Sequence, residues 1–355
     1  MPGDLDNVFY SVTDRGPNID RDESTAKTFP QPAFVPSIQR IELGTDGKFR
    51  LTQMINICDA AGRPITGLPN PLKVAKTELA YDKDGARLPF DPNGLDTEGL
   101  VRLSDGTFWL ADEYAPSLVH VAADGRIIER LVPHGLAGDL ADASYRIRET
   151  LPAILARRHL NRGFEGIAVS PDEKHLYAVM QNPLANPDVA AYKRAKAIRL
   201  FKIETATGQP MAEYIYELEP HTDFTDDTGA NKQSDVRISE LSALGPDKLV
   251  VLERVTHTTK LYAVNLASGS DILGSKWDDI ATSPSLEQID PAHASVTPLA
   301  KVKWLDSTER DDIPSKIEGV AIIPPDTLVI INDNDFGIEG ARTKILRLRL
   351  PVPVI

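Results

Sequence analysis

The chain has 355 residues, 39 Lys plus Arg against 52 Asp plus Glu, a hydrophobic fraction of 41% and a single cysteine. One cysteine excludes a disulfide framework, and the apolar fraction suffices to bury a core, which disfavours a disordered chain. The formal charge of −13 opposes binding to nucleic-acid phosphates and to anionic membrane surfaces.

The N-terminal part of the chain contains an incomplete set of predicted strands. Residues 1–6 have no basic or long apolar segment, so we expect no signal peptide, and no stretch approaches the roughly 18 apolar residues of a membrane helix. Strands are predicted over 7–12, 37–43 and 49–57. They resemble the later strands of a repeat unit without its first strand. Either residues 352–355 supply that strand, or the chain is shortened relative to its relatives.

Four later segments share one pattern. A glutamate leads a short apolar strand, a turn rich in Gly, Pro and Asp follows, and a second apolar strand ends in polar residues, which predicts a β-hairpin. A third strand follows in each segment, and a fourth in several. Repeated sets of four antiparallel strands are typical of β-propeller blades. We therefore predict an all-β single-domain propeller of five or six blades. Its five recognisable units cover about 7–58, 96–133, 164–219, 238–305 and 316–350.

The spacing of these units exceeds that of a bare blade, so we expect insertions. Apolar residues at helical spacing predict a surface helix over about 140–160. Residues 59–95, 221–236 and 268–296 are rich in Pro, Asp, Gly and Ser and are predicted to be long loops. Such loops often shape access to a functional centre.

The repeated glutamate is the main candidate for chemistry. First strands line the channel of a propeller, so equivalent glutamates would face one another. Four such charges roughly 8 Å apart would repel by on the order of 10 kcal/mol in total. They would need protons, basic partners or a cation, unless each glutamate instead binds backbone amides as a structural staple. These residues are Glu98, Glu165, Glu240 and Glu318.

The second strands end in further oxygen donors, and oxygen ligands favour Ca²⁺ or Mg²⁺ over zinc. From this group we predict that Asp112, Asn332 and Asp333 join the glutamates as metal ligands. The alternative is that 332–337 is merely a polar turn. The full set of strand-end donors is Asp112, Glu113, Gln181, Asn182, Glu253, Asn332, Asp333 and Asp335.

A few remaining residues are candidates for catalysis and substrate binding. Arg15 and Arg254 could hold an anionic substrate group or could neutralise the glutamates. Asp112 or Glu253 is the predicted general base, and His257 is a candidate for proton transfer. Asn182 is a predicted substrate contact. We find no GxSxG motif, P-loop or dinucleotide fingerprint.

Five spaced motifs occur in order along the chain: 9–18, 96–99 with 109–114, 163–168 with 180–184, 238–241 with 252–254, and 317–319 with 333–336. In these motifs the sequence resembles the phytase-like family often described as "esterase-like activity of phytase". The resemblance implies a propeller, hydrolysis of phosphate or carboxylic esters, and export to the periplasm or the medium. The two-strand motif is also similar to that of calcium-dependent lactonases of the gluconolactonase type.

These observations lead to two hypotheses. In the first, the protein is a hydrolase of small-molecule esters, in which bound Ca²⁺ polarises the substrate and activates a water molecule. In the second, it is a non-catalytic propeller that binds a protein or small ligand, and the metal only stabilises the fold. Fold class alone does not separate them.

Overall fold

The computed structural model describes residues 5–350 except 24, 325 and 339. It divides into two compact units, unit 1 (Met1–Ala156 and Leu160–Phe164) and unit 2 (Arg157–His159 and Glu165–Ile355). The single-domain organisation remains a prediction. The suggestion that residues 352–355 complete the first repeat concerns residues outside the described part.

Unit 1 contains two blade-like sheets and one small sheet. The first predicted repeat forms the antiparallel sheet β1-β4-β5, and the second forms the five-stranded sheet β7-β8-β9-β10-β11. The short strands of the 59–95 insertion and the N-terminal loop pair as β2-β3-β6. The strands are β1 (Val8–Val12), β2 (Ile19–Asp20), β3 (Ala26–Thr28), β4 (Ser37–Leu43), β5 (Phe49–Asn56), β6 (Leu79–Tyr81), β7 (Thr97–Arg102), β8 (Phe108–Asp112), β9 (Ser117–Val121), β10 (Ile127–Pro133) and β11 (Arg146–Leu151).

Unit 2 contains the other three predicted repeats. They form the antiparallel sheets β12-β13-β14-β15, β16-β17-β18-β19 and β20-β21-β22. The strands are β12 (Phe164–Val169), β13 (His175–Met180), β14 (Ala197–Glu204), β15 (Pro210–Glu217), β16 (Arg237–Gly245), β17 (Lys248–Arg254), β18 (Thr259–Asn265), β19 (Lys301–Asp306), β20 (Ile317–Ile323), β21 (Thr327–Asn332) and β22 (Ile345–Arg349).

Helices are short and lie in the connections. The α-helix α1 spans Val189–Tyr192, and its N-cap Asp188 accepts a hydrogen bond from the Ala191 amide. The 3₁₀ helices are Ala153–Arg157, His221–Asp223, Gln233–Asp235, Leu266–Ser268, Lys276–Asp278, Leu286–Gln288, Pro291–Ala294, Ser307–Glu309 and Asp335–Gly337.

The second strand of a blade is its most apolar element because both of its faces are covered. All five residues of β8 are buried, and the last five residues of β13 are buried too. Continuous burial of this kind explains why these strands are apolar runs rather than alternating sequences. The all-β, four-stranded blade architecture predicted from the repeats is confirmed, and the fold class is that of the β-propellers.

The insertion predicted as a surface helix over 140–160 differs from the prediction. Its first half is strand β11, which pairs in parallel with β10 and extends that sheet to five strands. Only Ala153–Arg157 is helical, as a 3₁₀ turn whose residues Ile154 and Leu155 are buried. Pro152 separates the two elements, since proline disfavours a helical conformation at the residue before it. Pairing with an available sheet edge therefore outweighed the helical spacing of the apolar residues.

Candidate functional site

In unit 1, carboxylates gather where β7 begins and β8 ends. Thr97 pairs with Asp112 across the two strands, and the register then shifts before Leu100. Glu98 lies within this irregularity, and bulges often redirect a side chain beside a functional site. The hydrogen bond from the Glu113 amide to the Asp96 carbonyl, 2.9 Å long, ties the two strand ends together.

Asp96, Glu98 and Glu113 form what we call the strand-end cluster. One carboxylate oxygen of each lies within 4.8 Å of the chosen oxygens of the other two. Ca²⁺ binds oxygens at about 2.4 Å, so two ligands on opposite sides of one ion lie roughly 4.8 Å apart. The donor set therefore fits a hard divalent cation. Of these three residues, Asp96 and Glu113 are buried and Glu98 is half-buried. Asp96 was not among the predicted ligands.

Arg15 does not lie where a substrate could reach it. Its side chain is 2% exposed and contacts Glu78 through Nη1 at 2.8 Å and Asp96 through Nε at 3.3 Å. Burial alone would lower the pKa of Arg15, but Asp96, Glu78 and Glu113 hold it above its usual range. Burial raises the pKa of Asp96, although Arg15 opposes the shift. The prediction that Arg15 binds substrate is wrong, and the counterion alternative describes it.

Asp112 also has a structural role. Its Oδ1 accepts the Asp96 amide at 3.0 Å, while Oδ2 accepts Ser117 Oγ at 2.5 Å and Arg130 Nη2 at 2.6 Å. Asp112 and Arg130 are both completely buried. Because both carboxylate oxygens are engaged and out of reach of solvent, the structure contradicts the predictions that Asp112 is a metal ligand or a general base.

Arg162 lies beside the strand-end cluster and was not among the site residues predicted from the sequence. Its Nη1 contacts Glu113 Oε1 at 3.1 Å, and its side chain remains 29% exposed. It precedes Gly163, which packs against the backbone of Glu113. The repeat pattern gave no signal for it because Arg162 precedes the repeated strand rather than occupying one of its shared positions.

In unit 2, three of the predicted ring glutamates lie near one another. A carboxylate oxygen of Glu165 lies within 4.8 Å of one of Glu318. Burial raises the pKa of Glu240, and the nearby charge of Glu165 adds to the shift. Gln181 Nε2 donates to Glu165 Oε2 at 2.8 Å. Within the described part of the chain, the buried Gln181 Oε1 has no hydrogen-bond partner. These oxygens, too, suit a cation. The closed ring of four glutamates stays a prediction.

Glu240 matches the staple alternative. Its Oε1 accepts the Leu241 amide at 2.8 Å and the Ile167 amide at 3.3 Å, which links β16 to β12. Close approach of these strands requires Gly166, since a Cβ there would lie 2.7 Å from the Leu241 nitrogen. Burial raises the pKa of Glu240 well above its ordinary value, and the two amides only partly offset this.

Two further predicted residues of unit 2 are buried in internal networks. Arg254, 4% exposed, contacts Glu318, Ser239 Oγ and the Val255 carbonyl. Completely buried Glu253 accepts Tyr216 Oη at 2.8 Å and the Glu219 amide at 2.7 Å. Arg254 is therefore a counterion rather than a substrate contact.

The general-base and catalytic predictions for this pair fail for the same reason. Both oxygens of Glu253 are engaged, and burial raises its pKa although Lys301 opposes the shift. Neither Glu253 nor Arg254 is accessible to a substrate in this structure.

Two predicted asparagines stabilise loops. Asn182 is 1% exposed, and its Nδ2 donates to the Val236 carbonyl at 2.9 Å, so it is not a substrate contact. Asn332 closes a polar turn by donating to the Asp333 carbonyl at 2.9 Å and accepting the Lys344 amide at 2.6 Å. The turn alternative therefore replaces the metal-ligand prediction for Asn332.

Asp333 and His257 occupy more open positions. Asp333 Oδ1 accepts the Asp335 amide at 2.8 Å, and Asp335 pairs with Lys316. Burial and the neighbouring Asp335 raise the pKa of Asp333. Exposed His257 contacts Ser315 Oγ through Nδ1 at 3.1 Å. A metal-binding role for Asp333 and a proton-transfer role for His257 stay predictions.

Blade-like sheets of three to five mostly antiparallel strands, with carboxylates at their strand ends, define a protein of the β-propeller class. The chain belongs to the phytase-like family described as esterase-like activity of phytase, whose model matches residues 3–336. The family predicted from the spaced motifs is thereby confirmed.

A curated relative is an uncharacterized secreted protein of Arthroderma benhamiae, 26% identical over 257 residues, which cover 64% of this chain and 49% of the relative. The chain thus spans about half the length of this relative.

Similarity to solved structures is weak. Virginiamycin B lyase from Staphylococcus aureus has a TM-score of 0.33 at 10% identity, covering 98% of this chain and 90% of the lyase chain. A luciferin-regenerating enzyme has a TM-score of 0.35 at 13% identity, covering 90% of this chain and 74% of the other. Neither likeness informs the function.

Among the described residues, no helix is long and apolar enough to cross a membrane.

Proposed function

We propose that the protein is a hydrolase of phosphate or carboxylic esters that depends on a divalent cation, with Ca²⁺ the best match. The observation that carries the proposal is the strand-end cluster, whose three carboxylate oxygens lie within 4.8 Å of one another in a chain of the phytase-like family. Oxygen-only donor sets select Ca²⁺ or Mg²⁺, and Ca²⁺ tolerates irregular geometry better.

The local charge supports a divalent ion. Asp96, Glu98, Glu113 and Glu78 contribute four carboxylates, and Arg15 and Arg162 contribute two guanidinium groups. Carboxylates that lie this close together repel one another, the repulsion is costly where they are partly buried, and a divalent cation would reduce it.

The residues in and around the cluster would have different roles in binding the ion. Asp96, Glu98 and Glu113 would hold the ion, and Arg15 orients Asp96 by contacting its Oδ2. A bound Ca²⁺ supplies charge that polarises an ester oxygen and lowers the pKa of water. Buried Asp112 takes no part in the proposed reaction. Its carboxylate accepts a hydrogen bond from the Asp96 amide and so holds the start of β7 in place. In unit 2, Glu165, Glu318 and Gln181 are further candidate oxygen ligands.

The direct test measures hydrolysis of p-nitrophenyl phosphate, phytate and a panel of lactones, with Ca²⁺ or with EDTA. We expect turnover with Ca²⁺ that EDTA abolishes and that Glu98→Gln and Glu113→Gln reduce at least about tenfold. Calorimetric titration with Ca²⁺ should show weaker binding in both variants. Glu129→Gln is a matched control, because Glu129 also pairs with arginines on a unit 1 sheet but lies outside the cluster. Absence of turnover on every substrate with Ca²⁺ would overturn the proposal.

A non-catalytic scaffold is the second candidate, and the buried pair of Asp112 and Arg130 favours it. This pair shows that strand-end carboxylates in this chain also serve structure alone. If Ca²⁺ raises the melting temperature while no ester or lactone is hydrolysed, the scaffold function replaces the enzymatic one. Turnover of lactones alone would instead narrow the activity to that of a lactonase.

Secretion and a small-molecule ester as the partner complete the proposal. The relative named as secreted supports export. Fractionation of the native host with a specific antibody tests it: we expect the protein in the medium or periplasm, and confinement to the cytosol would contradict export.

A further inference from the structure

We propose that Arg162 binds an anionic group of the substrate, so that the protein acts on esters that also carry a phosphate or carboxylate. This inference rests on the proposed function and specifies its substrate class. The sequence pointed to Arg15 and Arg254 for this task, but both are buried counterions. Arg162 combines contact with Glu113 of the strand-end cluster and partial exposure to solvent.

Exposure separates Arg162 from its neighbours in unit 1. The side chains of Arg15 and Arg130 are 2% and 0% exposed, whereas that of Arg162 is 29% exposed. A buried guanidinium that already neutralises carboxylates cannot meet an incoming anion without disrupting the fold. A half-exposed guanidinium can do so, and its planar geometry suits phosphate and carboxylate groups.

The backbone places Arg162 at the cluster. Asn161 has a φ of 54°, a left-handed conformation that asparagine adopts more readily than most residues other than glycine and that turns the chain here. Its buried Oδ1 has no hydrogen-bond partner among the described residues. On the other side, a Cβ at Gly163 would lie 2.1 Å from the Glu113 carbonyl oxygen, so only glycine permits this close approach.

These two features have a common consequence. The turn at Asn161 and the tightly packed Gly163 set the direction of the chain around Arg162. Its Nη1 lies 3.1 Å from Glu113 Oε1 and also donates to the Asn161 carbonyl. Arg162 is therefore held in place beside Glu113 by contacts on both sides.

The position explains how an acidic site can accept an anionic substrate. The net charge of the chain is −13, and the cluster itself brings three carboxylates together. An approaching phosphate or carboxylate would be repelled unless a cation faced it. Arg162 provides a fixed positive charge next to Glu113, one of the residues that would hold the metal.

Kinetics on matched substrates test the proposal. The variants Arg162→Gln and Arg162→Lys are compared with Arg148→Gln, a matched control because Arg148 is 23% exposed and pairs with Glu129 at 3.0 Å on β11. For p-nitrophenyl phosphate and for an ester bearing a free carboxylate, we expect kcat/KM to fall about 10- to 100-fold in Arg162→Gln, with partial recovery in Arg162→Lys. Hydrolysis of neutral p-nitrophenyl acetate should change less than about twofold. Equal losses on anionic and neutral esters would overturn the proposal.

Anion binding measured without turnover separates this proposal from the proposed function. Calorimetry with inorganic phosphate, in the presence of Ca²⁺, should show binding to the wild type and to Arg148→Gln, and at least about tenfold weaker binding to Arg162→Gln. If the wild type hydrolyses no ester yet shows this pattern, the hydrolase proposal fails and the anion site stands. If Arg162→Gln is folded by circular dichroism and binds phosphate as the wild type does, the anion site is wrong.

Discussion

Two clusters of carboxylates around arginine show how differently this chain handles surplus negative charge. The strand-end cluster of unit 1 includes half-exposed Glu98 and contacts half-exposed Arg162. In unit 2, what we call the Arg199 cluster consists of Arg199, Glu213, Asp278 and Glu287. The side chains of Arg199, Glu213 and Glu287 are at most 1% exposed, and that of Asp278 is 14% exposed.

The Arg199 cluster attaches the 268–296 insertion to a blade. Arg199 on β14 contacts Glu213 on β15 at 2.5 Å, and it contacts Asp278 at 3.2 Å and Glu287 at 3.4 Å. Within the described structure, Oε2 of Glu213 and Oε2 of Glu287 are buried without hydrogen-bond partners. One guanidinium thus faces three carboxylates in a site closed to solvent.

The two clusters differ in what can neutralise their negative charge. Burial raises the pKa of Glu213 to about 8, with Arg199 opposing and Asp278 adding to the shift, so a proton neutralises it near neutral pH. Asp271 also faces this residue, and its Oδ1 accepts the Glu213 amide. The strand-end cluster is less enclosed, since Glu98 and the neighbouring Arg162 remain half-exposed. The same residue types therefore occur in one closed cluster and in one partly open cluster, and only the partly open one is a candidate for ligand binding.

The largest expected effect follows from removing the guanidinium group at the centre of the Arg199 cluster. Arg199→Met leaves three carboxylates buried without their counterion, and we expect the free energy of unfolding to fall by about 3–5 kcal/mol. Urea denaturation measures this change. Arg349→Gln is the control, since Arg349 is 84% exposed in its ion pair and should change stability by less than about 1 kcal/mol. A loss below about 1 kcal/mol in Arg199→Met would show that the cluster does not anchor the fold.

Calcium should stabilise the protein by binding to the strand-end cluster. At a free Ca²⁺ concentration about 100 times the dissociation constant, binding to the folded state alone adds about 2.7 kcal/mol to stability. We expect a higher Tm with Ca²⁺ than with EDTA in the wild type, and almost no difference in the double variant Glu98→Gln, Glu113→Gln. Persistence of the full calcium effect in the double variant would move the site away from these ligands.

The pH dependence of stability should report protonation of Glu213 in the Arg199 cluster. The folded pKa of Glu213, about 8, lies above the ordinary value of 4.5, so folding favours the neutral form. The stabilisation is complete below about pH 4.5 and is lost as pH rises through about 8. Over that window the wild type should lose about 4 kcal/mol more than Glu213→Gln, measured as Tm against pH in EDTA. Parallel pH profiles for the two proteins would contradict a proton at Glu213.

Glu240 should give the smallest effect. Its Oε1 accepts two backbone amides, and the amide oxygen of glutamine can accept the same bonds. Because burial already favours its neutral form, Glu240→Gln should change stability by less than about 1 kcal/mol and Ca²⁺ affinity by less than about threefold. Glu113→Gln, by contrast, should weaken Ca²⁺ binding about tenfold or more. If the two variants weaken calcium equally in a titration, Glu240 is a ligand rather than a staple.

Much of the architecture could be predicted because it follows from short-range patterns. The repeated glutamate, the turn residues and the apolar second strands located all five blade-like sheets, and the spaced motifs identified the family. The 140–160 segment could not be predicted in the same way. Its apolar spacing is helical, but the free edge of β10 and the proline at 152 decided its conformation.

The sequence by itself determined the blades, the family and the abundance of oxygen donors at strand ends, because strand periodicity and turn chemistry are local. Only the tertiary structure decided which donors are available. It buries Asp112 against Arg130 and Arg15 between Glu78 and Asp96, and it leaves Arg162 half-exposed beside Glu113. The physical reason is that a side chain's charge state and accessibility depend on the partners that folding brings to it from distant positions, and residue type and spacing carry no record of those partners.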